Sequence, residues 1–207
     1  MKTLLSLILC VISLAGWSQD ESFYRDIFSG AFIKKKKPFE YKVLVESPRY
    51  SLDLDRDGVK DSFQTLKKDG VDFIRINNAF GEKVFESSLL NLGQKSKIFK
   101  AHLKTISKTV DVLILYFYEG YNYSSNFGAS ARLYFLTIPD RKLDKITLTK
   151  GSYFWGEFEK AAGKYWRRRL SVNTLDYNGD GKFEISVSYN KTSRVFFYLP
   201  SGNWTEI

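Results

Sequence analysis

Two residue types that carry much of enzyme chemistry are nearly missing: the 207-residue chain has one cysteine, Cys10, and one histidine, His102. Cys10 lies in an N-terminal segment expected to be removed, so the mature chain has no thiol. That excludes disulfides, cysteine nucleophiles, zinc clusters built on cysteine and haem attachment through cysteine. A Ser-His-Asp triad would have to use His102, which the pattern places on a strand, partly exposed among lysines. No glycine-rich loop of the P-loop kind is present. A glycosidase needs only two carboxylates, and Glu157 and Glu159 are the obvious pair, yet surface acids are common. The expectation is a protein that is not an enzyme, with a carboxylate-based hydrolase as the remote alternative.

Long apolar runs are also lacking. Residues 4–15 are the apolar stretch of the N-terminus, 12 residues long, whereas a membrane-spanning helix needs roughly 20. Lys2 precedes this stretch, and Gly16 and Ser18 stand at −3 and −1 to a cut before Gln19. This is the three-part pattern of a secretory signal peptide. Lipid attachment at Cys10 does not fit, because Leu9 occupies the position where a small residue is expected. Residues 1–18 are therefore expected to be a signal peptide, with no transmembrane segment left after cleavage. The mature protein is expected in the periplasm, on the cell surface or secreted, and an exported chain without cysteine suggests a bacterial source.

The whole chain is 43% hydrophobic and 16% aromatic, and what remains after cleavage is enough for one domain with its own core. Residues 19–40 form an expected short helix and basic linker. Phe23, Ile27, Phe28 and Ala31 fall at helical spacing after Asp20 as N-cap, and four lysines at 34–37 precede Pro38. Residues 41–207 read as a single all-β domain. Strands are expected at 41–45, 50–52, 63–66, 71–76, 84–85, 110–118, 131–137, 146–149, 152–154, 185–189 and 195–199, and one leads from Trp166 into Leu175. Residues 98–106 fit both a helix and a strand, and the surrounding strands favour a strand. Residues 110–118 are too continuously apolar for an edge and belong at the centre of a sheet. Residues 119–130 and the neighbourhood of Trp155 read as loops. The expected fold is an antiparallel meander of about a dozen strands, a propeller-like fragment or a sandwich, with a short N-terminal helix.

Two loops share one grammar. Asp53, Asp55, Asp57 and Asp61 stand at positions 1, 3, 5 and 9 of the first, with Gly58 at position 6 and the backbone carbonyl of Val59 available at position 7. Asp176, Asn178, Asp180 and Glu184 take the same positions in the second, with Gly181 at position 6 and Lys182 at position 7. Oxygen ligands on short, alternating side chains suit a hard cation such as calcium, and glycine permits the turn that folds them inward. Without a cation, four carboxylates in nine residues would repel one another. The plain alternative is an Asp/Gly-rich turn. An EF-hand would need flanking helices and a glutamate at position 12; here Gln64 and Val187 stand there. Arg56 and Lys60, at non-ligand positions, are expected to point outward.

The loops at residues 52–63 and 175–185 resemble those of the FG-GAP or VCBS-type repeats of integrin-like β-propellers, whose D-x-[DN]-x-D-G-x-x-[DE] loop joins two strands of a blade. The resemblance covers the two hairpins alone. It implies two calcium ions, structural rather than catalytic.

Charge and aromatic residues bear on partners. The formal net charge is +9. After loss of Lys2, and with the seven loop acids set aside, 31 basic residues face 16 acidic ones. Such a surface favours polyanions, namely acidic polysaccharide, lipid head groups or nucleic acid met outside the cell, with an envelope protein as a further partner, though charge of this size also serves solubility. Tyr121, Tyr123 and Trp155 are the aromatic candidates for exposure, and Arg167, Arg168 and Arg169 form the adjacent basic run; together they are the candidate ligand contacts. The function expected is an exported, calcium-stabilised β-domain that binds an extracellular or envelope component, polyanionic or carbohydrate. The alternative is a non-catalytic structural accessory of the envelope.

Overall fold

The computed structural model describes residues 40–44, 49–89, 95–123, 126–160 and 164–207. The expected signal peptide, N-terminal helix and lysine run lie outside the described residues.

The apolar stretch beginning at Val110 decides the architecture. In an extended chain successive side chains point to opposite faces. Leu113, Leu115 and Phe117 join one core, while Val112, Ile114 and Tyr116 join another. The partner strand repeats this, with Tyr134, Leu136 and Ile138 in the first core and Leu133 and Phe135 in the second. A strand pair buried on both faces needs a layer above and a layer below, and the rest of the chain supplies them.

The central layer is a six-stranded antiparallel sheet in the order β1-β6-β7-β8-β9-β10. Its strands are β1 (Glu40–Leu44), β6 (Lys95–Thr105), β7 (Val110–Tyr123), β8 (Asn126–Pro139), β9 (Thr147–Lys160) and β10 (Lys164–Arg169). One outer layer is the four-stranded meander β2 (Arg49–Leu52), β3 (Asp61–Lys68), β4 (Val71–Asn77) and β5 (Lys83–Ser88). Its Leu52, Leu54, Phe63, Ile74 and Ile76 complete the first core. The other is the meander β11 (Ser171–Leu175), β12 (Glu184–Tyr189), β13 (Thr192–Tyr198) and β14 (Trp204–Glu206). Ile185, Val187 and Phe196 carry it onto the second core. The two outer layers thus have the same plan, four strands in sequence order with an aspartate loop between the first and second. Polar ties join the layers: the Tyr134 hydroxyl donates to the Leu89 carbonyl, and Trp204 Nε1 donates to Thr137 Oγ1 at 2.8 Å.

The all-β, antiparallel expectation holds, the ambiguous segment at 98–106 lies in β6, and β7 is central. Some details differ. Residues 119–123 and 126–130 are strand rather than loop, because β7 and β8 stay paired out to Tyr123 and Asn126. Tyr121 and Tyr123 are therefore strand residues. Glycine, serine and asparagine are poor strand formers on average, but pairing along a 14-residue hairpin overrides that weak preference. The expected short strands at 146–149 and 152–154 are one continuous β9 that also holds Trp155.

Gly151 makes that continuity feasible. A Cβ placed there would lie 3.0 Å from Phe135 Cζ and 3.1 Å from the Leu133 carbonyl oxygen, tight enough that these neighbours would have to give way by a few tenths of an ångström. The β8–β9 register also shifts nearby, around Arg132. Gly151→Ala is expected to cost about 1–3 kcal/mol by overpacking. Urea denaturation followed by tryptophan fluorescence would measure it, and an unchanged midpoint would refute the close approach.

Candidate metal centres and a basic aromatic cleft

In the first loop β2 hands the chain to β3 with Leu52 opposite Asp61, so positions 1 and 9 close the neck of the loop. Asp53, Asp55 and Asp61 offer carboxylate oxygens that all lie within 4.8 Å of one another. The backbone holds them there. Leu54 N–H donates to Asp61 Oδ2 at 2.9 Å, Gly58 N–H to Asp53 Oδ2 at 3.1 Å, Asp57 N–H to Asp55 Oδ1 at 3.2 Å and Val59 N–H to Asp57 Oδ1 at 2.7 Å.

The second loop repeats this map, bond for bond. Tyr177 N–H donates to Glu184 Oε2 at 2.7 Å, Gly181 N–H to Asp176 Oδ2 at 3.2 Å, Asp180 N–H to Asn178 Oδ1 at 3.0 Å and Lys182 N–H to Asp180 Oδ1 at 2.8 Å. The backbone matches as well. Position 6 is left-handed in both, with φ of 92° at Gly58 and 83° at Gly181, and so is position 4, with 63° at Arg56 and 78° at Gly179. Asp57 and Asp180, at position 5, are exposed, and Asp57 stands outside the three-carboxylate group.

One difference separates the loops. Gly179 N–H donates to Asp176 Oδ1 at 2.6 Å, but the corresponding oxygen of the first loop, Asp53 Oδ1, is buried with no hydrogen-bond partner. A buried, unsatisfied carboxylate oxygen is costly. Electrostatics point the same way. Burial pushes the Asp61 carboxyl up to about 6, with the charges of Asp55, Asp57 and Asp53 adding to the effect. Burial likewise raises Asp55, aided by Asp57 and Asp53, and raises Glu184. Each loop presents clustered oxygens whose charged forms are disfavoured as they stand, and a hard cation would reverse that.

Arg56 does not point outward. Its left-handed backbone, unusual for a residue with a Cβ, turns the side chain inward to Asp111 at the start of β7. Asp111 is fully buried, and Arg56 meets both its oxygens at 3.0 Å. Arg141 adds a contact at 3.2 Å and Thr105 Oγ1 donates at 2.7 Å. The second loop reaches the same turn through Phe183, whose N–H donates to the Ile106 carbonyl at 2.8 Å. Both loops are thereby docked on the β6–β7 turn of the central sheet.

Elsewhere on the domain a cleft of about 780 Å³ opens among β6 to β10 and the start of β11. Phe99, Tyr116 and Phe154 form its aromatic floor, packed tilted or edge to face at 5.2–6.4 Å. Tyr118 and Trp155 stand beside them with ring centroids 5.9 Å apart. Lys97, Lys100, Arg167 and Arg169 also line it, and among the described residues no carboxylate does. A second cleft of about 400 Å³ shares Trp155 and Leu170 with the first. It contains Arg168, whose guanidinium lies 4.5 Å from the Tyr189 ring centroid.

Of the candidate ligand contacts, Trp155, Arg167 and Arg169 come together in the larger cleft, and Arg168 falls in the smaller one. The side chains of Tyr121 and Tyr123 lie outside what the structure describes. Lys97 and Lys100 went unrecognised because their partners lie far along the chain; the lysine-rich start of β6 was the available signal. His102 is buried, 4% exposed, rather than partly exposed, since β6 lies inside the central sheet, which is covered on both faces. No family model matches the sequence, and no curated protein or solved structure matches it.

Asp111→Asn weakens the anchor of the first loop and leaves guanidinium donors short of an acceptor. A loss of about 1–3 kcal/mol is expected, against less than about 1 kcal/mol for Arg141→Gln at the more exposed partner. Chemical denaturation of both variants would check this, and equal, negligible losses would mean the anchor is idle.

Proposed function

We propose that this chain is an exported β-domain stabilised by two calcium ions, and that it binds an extracellular or envelope component, polyanionic or carbohydrate, without catalysing a reaction. The observation that carries the calcium reading is the pair of loops with one hydrogen-bond map, the first of which holds three convergent carboxylates around a buried oxygen that has no partner. Oxygen-only donors on short side chains suit calcium or magnesium, and a flexible loop that offers carboxylates and backbone carbonyls favours the larger ion.

Asp53, Asp55 and Asp61 would hold one ion, joined by Asp57 and the Val59 carbonyl. Asp176, Asn178 and Glu184 would hold the other, with Asp180 and the Lys182 carbonyl. Each ion would close the first hairpin of an outer sheet, so its role is structural. The loops' position supports the resemblance to FG-GAP or VCBS-type repeats, since each joins the first two strands of a four-stranded antiparallel unit. The binding part of the proposal is supported by the net charge of +9 and by a cleft whose charged lining, among the described residues, is basic.

Calcium sites in modules working outside the cell have dissociation constants of about 0.1–1 mM. At 1 mM calcium a site at the tight end adds roughly 1.4 kcal/mol by mass action, and two sites about twice that. Thermal melts with chelator and with 1 mM calcium should therefore differ by several degrees. Asp53→Asn and Asp176→Asn should each remove about half of the difference, and their losses should add. Identical melting temperatures in the two buffers would sink the calcium reading.

A further inference from the structure

We propose that the larger cleft is a binding site for an acidic oligosaccharide, a chain of uronic or sulfated sugar units, with Trp155 and Tyr118 as the stacking wall and Lys97, Lys100, Arg167 and Arg169 as the anion contacts. This deepens the binding half of the proposed function and rests on it.

Shape, lining and charge each contribute. The cleft is about 780 Å³, within the range that takes a ligand of a few rings. Its aromatic floor is fixed by mutual edge-to-face packing, and Lys100 Nζ sits 4.4 Å from the Tyr116 ring centroid. Trp155 and Tyr118 are half-buried on β9 and β7, strand positions that hold a flat apolar face rigidly beside the charges. Sugars present C–H faces that pack on such rings, while their carboxylate or sulfate groups seek guanidinium and ammonium donors. Neutral glycans would leave the basic lining unanswered.

Arg167 and Arg169 are consecutive same-face residues of β10 and both are exposed, so their guanidinium groups are spaced along the strand for repeated anions. The neighbouring cleft continues the groove past Trp155. Its lining adds Arg168 and Arg194 but also one carboxylate, Glu157. Anionic units are therefore best accommodated at the larger end. Single-stranded nucleic acid also combines stacking with phosphate contacts; the export pattern of the N-terminus favours the glycan.

The test is a calorimetric titration of the full mature chain, in calcium, with a galacturonic acid tetramer, a heparin tetrasaccharide, neutral cellotetraose and a dT oligonucleotide. Binding of at least one acidic sugar is expected, with none for cellotetraose. Arg167→Gln/Arg169→Gln should weaken it at least about tenfold, and Trp155→Leu should weaken it without abolishing the calcium-dependent melting shift. Lys83→Gln/Lys142→Gln, the same charge change at exposed sites outside both clefts, should change it less than about twofold. Equal losses in the two double variants would mean diffuse charge attraction and overturn the site. Tighter, cleft-dependent binding of dT would overturn the ligand class. A normal calcium shift with no sugar binding would overturn this inference alone, whereas loss of the calcium shift would count against the calcium reading and leave the cleft to be judged by the sugar titrations.

Discussion

The structure depends on one constraint: β7 and β8 are apolar on both faces, so neither face can be left to water. Burying large side chains such as Phe117 and Phe135 is worth roughly 1.5–3 kcal/mol each, and exposing either face would forfeit several such terms at once. A single sheet cannot satisfy that requirement, and neither can a two-layer sandwich. The chain answers it by placing one four-stranded meander on each side. The order of events along the sequence follows, with β1 in the central sheet, a meander for one face, the return to β6 beside β1, and a second meander for the other face.

Within that arrangement the aspartate loops have matching places. Each lies between the first and second strands of an outer sheet, and each is tied to the β6–β7 turn, by Arg56 to Asp111 in one case and by Phe183 to Ile106 in the other. Loops so anchored hold their oxygens in position before any ion arrives, which reduces the ordering a cation must impose. The buried Asp111 carboxylate is the polar counterpart of the apolar constraint. It is a charge placed inside the domain and satisfied by two guanidinium groups and a hydroxyl.

Much of this was legible from local pattern. Alternation identified β12, a turn followed by β-type residues identified β4, and a run of apolar and aromatic residues identified β13. The uninterrupted apolar run identified β7 as central, and the positions of aspartate, asparagine and glycine identified both loops. What escaped depended on partners distant in the chain. The strand continuation through 119–123 and 126–130 is a matter of pairing between β7 and β8, where composition alone says loop. The inward turn of Arg56 is set by Asp111, 55 residues away. The cleft gathers Lys97 and Arg169 from strands at opposite sides of the central sheet, a juxtaposition no window of sequence contains. The burial of His102 follows from the covering of the central sheet by layers distant in the chain, which the order of strands does not announce.

The central claim is that the two loops are cation sites of one kind, and the stoichiometry of calcium binding addresses it most directly. Calorimetric titration of the calcium-stripped mature protein should give two ions per chain. The value should fall to one with Asp53→Asn and to one with Asp176→Asn. A stoichiometry of zero in the unaltered protein, or one that neither substitution changes, would contradict the account.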